Sequence, residues 1–154
     1  MTKQYVILGI LSLTVAFGAG CGSSDGFGRE EDFVGTWQYT SGTRTTTCAG
    51  QSQTEIATGN LALSTGISSD LVMVDETCSL RFDIIGNTAS LIPGQSCNAI
   101  SNGSSMSIAF TALTITVDAL IADMSRSATI TVAGPTGTIA CTYTETAKLQ
   151  KISK

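Results

Sequence analysis

The sequence predicts an all-β domain, an antiparallel up-and-down barrel or half-barrel of about eight strands, behind an N-terminal signal helix. Three observations predict it. Short runs alternate apolar and polar residues with the two-residue period of a strand. Turn signals such as Gly86-Asn87, Pro93-Gly94 and Gly134-Pro135 separate those runs. Charged residues make up only 13% of the chain, so Thr and Ser supply the polar surface, and Thr suits a pleated strand. The same pattern allows a β-sandwich as the alternative.

The chain divides into three parts. Residues 1–20 read as a signal peptide. Lys3 gives a positive start, Tyr5 to Phe17 form an apolar run too short for a comfortable membrane span, and small residues follow. Residues 21–32 read as a flexible tether, Gly/Ser-rich and closed by the acidic cluster Glu30-Glu31-Asp32. Residues 33–154 read as one β domain, which suits a chain of 154 residues.

At the boundary, Gly18-Ala19-Gly20-Cys21 resembles the lipobox of bacterial lipoproteins. The resemblance implies cleavage before Cys21, lipidation of its thiol and attachment to a membrane through that lipid. Gly22 and Ser23 follow instead of Asp, which by the same resemblance implies an outer-membrane destination. The full chain carries a net charge of −4, and losing Lys3 with the signal would make it −5. No basic stripe exists to neutralise phosphates, so nucleic acid is not an expected partner.

The domain is expected to start with a strand from Phe33. Phe33, Gly35, Trp37 and Tyr39 share one parity, so Trp37 is predicted to be buried near one end of the β-structure. Gly35-Thr36-Trp37 resembles the G-x-W start of lipocalin-like and avidin-like barrels, in which the first-strand Trp plugs one barrel end. It implies that architecture and no particular ligand.

Further strands are predicted at Thr54–Thr58, Asn60–Thr65 and Asp70–Asp75. Cys78–Ile84 and Thr88–Ile92 form a hairpin about Gly86-Asn87, where both residues tolerate positive φ. Ser104–Phe110 alternates, then parity slips at Ala112-Leu113, which suggests a bulge or a turn. Val117–Met124 suits a short helix and a strand equally. Ala128–Val132 and Ile139–Tyr143 flank the hairpin signal Gly134–Gly137, and Lys148–Lys151 reads as the domain's tail.

Five cysteines are present, and lipidation would use Cys21. The other four, an even number in an exported chain, imply two disulfides. With the hairpin turn at Gly86-Asn87, Ile85 faces Thr88, and Cys78 and Cys97 lie about one diagonal step off register. The predicted pairs are Cys78–Cys97 and, by remainder, Cys48–Cys141. No CxxC pair exists, and no metal site is expected.

Enzyme chemistry finds little support. Histidine is absent from the sequence, which removes the commonest general base and metal ligand. Nucleophile-elbow, P-loop and zincin motifs are absent as well. Asp70, Asp75, Glu76, Asp83, Asp118 and Asp123 leave a carboxylate pair conceivable, but they read as turn and surface residues. Met73, Met106 and Met124 read as core fillers. The expectation is a non-enzymatic lipoprotein without cofactor. Its barrel would bind a small apolar ligand or an envelope protein; the alternative is a structural envelope lipoprotein with no defined ligand. An open barrel interior favours the first reading, a filled one the second.

Overall fold

The computed structural model describes residues 29–75, 78–101, 104–135 and 137–154. Ten strands follow one helical turn among these residues: α1 (Glu30–Phe33), β1 (Gly35–Cys48), β2 (Gln51–Ile56), β3 (Asn60–Thr65), β4 (Leu71–Asp75), β5 (Cys78–Ile85), β6 (Thr88–Leu91), β7 (Ser96–Ser101), β8 (Ser104–Asp118), β9 (Ile121–Gly134) and β10 (Gly137–Ser153). Every pairing is antiparallel. The order β1-β3-β4-β5-β6-β8-β9-β10 returns to β1 through the β10–β1 pairing, which closes an eight-stranded barrel. The sandwich alternative is thereby set aside.

The two remaining strands lie outside that ring. β1 pairs with β3 over Gly35–Gln38, then with β2 over Thr43–Cys48. Its register against β10 shifts between Tyr39 and Ser41, where the change of neighbour falls. There, a Cβ on Gly42 would lie 2.6 Å from the Thr146 carbonyl oxygen and 2.8 Å from Ala147, so only glycine fits this close approach. β8 behaves in the same way. It pairs with β6 over Thr114–Thr116 and with β7 over Ser104–Ala109, and a bulge between Phe110 and Ala112 separates the two. That bulge is the parity slip visible in the sequence. Bulges bend strands, and these two mark the level at which the barrel opens. Above it, β2-β1-β10-β9-β8-β7 form an open trough.

The closed end is plugged. Phe33 and Trp37 are fully buried, with Leu63, Leu71, Phe82, Ala89, Ile115, Val117 and Leu149 packed in the same core. Trp37 Nε1 donates to the Phe33 carbonyl at 2.8 Å. Lys151 Nζ lies 5.4 Å from the Trp37 ring centre and donates to the Glu31 and Asp32 carbonyls. A cation over an indole face is attractive, so Lys151 fastens α1 across the barrel end.

Several expectations are corrected here. The first strand starts at Gly35, and Phe33 belongs to α1. Glu30-Glu31-Asp32, expected within the tether, forms most of that helical turn because Asp32 Oδ2 accepts from the Arg29 amide and Lys151 holds the turn's carbonyls. The second strand is Gln51–Ile56 rather than Thr54–Thr58, since each of its residues faces one of Thr43–Cys48. Lys148–Lys151 is no tail: it lies within β10 and closes the barrel on β1. Segment 117–124, equally open to helix and strand, is a hairpin. It turns at Ala119-Leu120, with Ala119 at φ +56°.

On the outer wall, facing hydroxyls bond across strands: Thr45 with Thr54, Thr47 with Ser52, and Thr111 with Ser127, at 2.7–2.9 Å. Such cross-strand pairs each contribute a fraction of a kcal/mol, on the order of 0.2–1. This wall of Thr and Ser is unlike the outward apolar band of a transmembrane barrel.

Candidate functional site

Alternation along β9 and β10 decides what lines the interior. On β10, Cys141, Tyr143, Glu145, Ala147 and Leu149 point inward while Thr142, Thr144, Thr146 and Lys148 face solvent. On β9, Ala122, Met124, Arg126, Ala128 and Ile130 share the inner face. Two charged residues therefore occupy inward positions of otherwise apolar rows.

These charges meet. Glu145 faces Arg126 across β10–β9 and Arg44 across β10–β1. Arg44 in turn faces Glu55 on β2. A row of alternating charge, Glu55–Arg44–Glu145–Arg126, thus crosses four adjacent strands at the level where the barrel opens. Glu145 is 2% exposed, the one buried charged residue among those described. Arg126 Nη2 lies 2.6 Å from Glu145 Oε2, and Nε donates to the same oxygen at 2.8 Å. Arg126 Nη2 also donates to the Tyr143 hydroxyl at 2.7 Å, and that hydroxyl donates to Glu145. Arg44 Nε donates to Glu55 at 3.2 Å, in a more exposed setting.

Burial works against charge on Arg126, but Glu145 and the neighbouring tyrosines more than offset it, and the guanidinium is held above its ordinary pKa. The Tyr143 phenol is pushed up to about 12, first by burial and then by its bond to Glu145. Tyr39 is raised further, first by burial and then by the nearby Glu145 charge. All three groups keep their protonated forms at neutral pH. The row is a self-neutralised floor, with no buried side-chain nitrogen or oxygen left unpartnered among the described residues.

Above this floor lies a cavity of about 360 Å³. Arg126, Arg44 and Tyr143 form its base, and Leu80, Phe110, Ile108, Ile130 and Met106 its walls. The Cys78–Cys97 disulfide closes one side, tying β7 to the start of β5. Such a volume falls at the lower end of small-molecule pockets. A smaller, more polar cavity of about 190 Å³, lined by Tyr39, Asn60 and Glu145, abuts the row on its other side.

The structure joins Cys78 to Cys97 and Cys48 to Cys141. Cys48 and Cys141 face each other directly in the β1–β10 register. The hairpin register also holds, with Ile85 opposite Thr88. Cys97 reaches Cys78 from β7, which has left the hairpin and pairs with β8. Gln95 holds this bend through its side chain, which bonds the Arg81 amide and the Arg81 and Ile92 carbonyls.

The carboxylates considered for catalysis are dispersed. Asp70 accepts from the Ile84 amide at 2.6 Å, Asp123 pairs with Lys148 on the outer wall, and Asp83 and Asp118 are exposed. Glu76 and Cys21 lie outside the described residues. Met73 and Met124 are core residues, whereas Met106 is part-exposed at the cavity wall. No three His, Cys, Asp or Glu side chains converge among the described residues. Sequence reading missed Arg126, Tyr143 and Glu145. Their signal was parity: extending the Ile139–Cys141–Tyr143 alternation by one step places Glu145 on the inner face.

These features define a class: a closed eight-stranded antiparallel barrel with one end plugged and the other opening over a charged floor. No family model and no curated protein matches the chain. One solved structure is similar to it: a protein of unknown function of the DUF3598 family from Nostoc punctiforme, at 13% identity and a TM-score of 0.36. The match covers 80% of this chain and 49% of that one, so this chain spans about half its neighbour's length.

Proposed function

We propose that the chain is an exported lipoprotein whose barrel holds a small, uncharged apolar molecule in its open half. The observation that carries this reading is the apolar cavity of about 360 Å³ above the Glu55–Arg44–Glu145–Arg126 row. Apolar walls supply a ligand's burial, and a few polar groups at the base fix its orientation. Each arginine of the row already has a carboxylate partner. A ligand anion reaching Arg126 would meet Glu145 as well, and a cation would meet Arg126. A neutral molecule with one hydroxyl or carbonyl end suits the floor best. The protein takes no catalytic part in this reading and needs no cofactor. Its other partner is the membrane, through lipid on Cys21. The lipobox-like Gly18-Ala19-Gly20-Cys21 supports that anchor, and Gly22-Ser23 support an outer-membrane address.

Two experiments test these parts separately. Calorimetric titration with decanol, decanoate and decylamine should give the tightest binding for decanol, abolished by Ile130→Trp, which fills the cavity. Absence of binding by all three would favour the second reading, an envelope interaction protein. The observation behind that reading is β2, an edge strand among the described residues and exposed at all six positions. Expression of Cys21→Ser in an exporting bacterial host should leave uncleaved precursor or release the protein, because stable anchoring needs two acyl chains or an equivalent second signal. Normal processing and retention of that variant would overturn the lipoprotein reading.

A further inference from the structure

The two ends of the barrel differ in what their turns expose. At the closed end, Ile67 lies in the β3–β4 connection, Ile85 borders the β5–β6 turn, Leu120 lies in the β8–β9 turn with Ile121 next to it at the start of β9, and Ile152 lies one residue before the end of β10. Each is more than half exposed. Every one of these rim elements thus presents a large aliphatic side chain to solvent. The described turns at the other end, Ala49-Gly50 and Gly134-Pro135, hold only small residues and proline. The exposed aliphatics of the open half, such as Ile56, Ile100 and Ile139, lie on strands of the trough instead.

The chain enters at this same rim. Arg29 leads into α1, and Lys151 ties α1 down beside Trp37. Cys21 lies 29 − 21 = 8 residues before Arg29. Eight residues span at most about 26–29 Å. A lipid on Cys21 would hold the closed rim that near a bilayer.

We infer that the closed rim docks on the membrane surface, with Ile67, Ile85, Leu120, Ile121 and Ile152 entering the interface of a zwitterionic bilayer. The inference rests on the membrane-anchored reading for its occupant and on the rim's own side chains for the contact. Charge argues for zwitterionic lipid. The rim region carries Glu30, Glu31, Asp32, Asp70, Asp83 and Asp118 against Arg29, Lys151 and Lys154, an excess of 6 − 3 = 3 negative charges. Contact therefore comes from apolar insertion, which reaches about 5–10 Å into the interface, and salt should not weaken it. In this orientation the open cavity points away from the membrane. Its ligand would exchange with the aqueous compartment rather than with the bilayer.

The test places a fluorescent reporter at each end of the full chain, reconstituted in phosphatidylcholine vesicles. Leu120→Trp reports on the rim, Ile139→Trp on the open end, and buried Trp37 gives the same background in both. Phosphatidylcholine carrying a quencher on its acyl chain should remove most of the emission added by Leu120→Trp and leave that of Ile139→Trp. Adding Ile67→Asp and Ile85→Asp should restore the rim emission. Equal behaviour of the two reporters, or quenching of Leu120→Trp by aqueous iodide in vesicle-bound protein, would overturn docking while leaving the anchor intact. Shielding from iodide without lipid quenching would mean self-association through the rim and would also overturn it. A chain that fails to float with the vesicles overturns docking outright. The processing of Cys21→Ser decides the anchor independently.

Discussion

The closed and open halves of this barrel are built from the same four long strands, β1, β8, β9 and β10, yet they do opposite things with their interiors. Below the bulges at Tyr39/Ser41 and Phe110/Ala112 the ring is complete and its lumen is filled by Trp37, Phe33, Phe82, Ile115 and Leu149, all fully buried. Eight strands enclose an interior just wide enough for side chains to fill. Above the bulges β3 no longer flanks β1 and β6 no longer flanks β8. β2 and β7 take their places without pairing to each other, and the same inward rows line a cavity. Between the halves lies the Glu55–Arg44–Glu145–Arg126 row. The lesson is that packed core and open cavity are separated along the strand axis, with the charged row at the frontier.

If this division holds, substitutions below the row should cost far more than substitutions above it. Trp37→Ala should have the largest effect, roughly 3–5 kcal/mol, read as a lowered midpoint in denaturant with both disulfides intact. The parent should also show a blue-shifted, quencher-resistant Trp emission. An emission like that of free tryptophan would contradict its full burial.

Arg126→Met comes next. It strands Glu145 in a buried site, and breaking a buried pair costs about 3 kcal/mol or more. The double variant Arg126→Met/Glu145→Leu should recover most of that loss. If it does not, the row stabilises the fold by more than mutual neutralisation.

Replacing Cys78 and Cys97 by Ala opens a loop with a sequence separation of 19. Chain entropy sets the loss at about 3 kcal/mol or less. Amide exchange should rise in β7 and leave the closed half unchanged. Acceleration in β5 beside Phe82 would show that the halves are not independent.

Alkaline pH probes the frontier itself. The Tyr143 phenol stands near 12 in the folded chain against 10.0 for the free group, because of burial and its bond to Glu145. The folded state holds that proton more tightly than the unfolded chain. Its contribution is therefore complete below about pH 10 and is lost as pH rises from there through 12. Tyr39 shifts in the same direction. Tyr143→Phe should flatten the decline of stability over that range, and an unchanged slope would place its cause elsewhere.

The smallest effect is expected in the trough. Ile130→Ala should cost less than about 1 kcal/mol, since the half-buried side chain already borders a cavity and leaves little new void. A loss as large as that of Ile115→Ala would mean that the open half is core after all.

Most strands, though not β7 (Ser96–Ser101), were legible in the sequence, as were the hairpin at Gly86-Asn87, the burial of Trp37 and the bulge near Ala112. Each follows from two-residue periodicity or from turn chemistry, and both are local properties of the chain. Cysteine parity and hairpin register likewise led to the Cys78–Cys97 and Cys48–Cys141 pairs. Three features needed the tertiary structure. Val117–Met124 carries helical and strand spacing alike, and its pairing partners across β8 and β9 decided the matter. Lys148–Lys151 looked like a polar tail because only Leu149 faces inward at full burial; closure on β1 makes it a wall of the barrel. The charged row depends on Glu55, Arg44, Glu145 and Arg126, which lie up to 145 − 44 = 101 residues apart and meet only because four strands align in register. Alternation along one strand says which side a residue faces. Only the closing of the sheet says whether that side is a packed core, a charged floor or an open cavity.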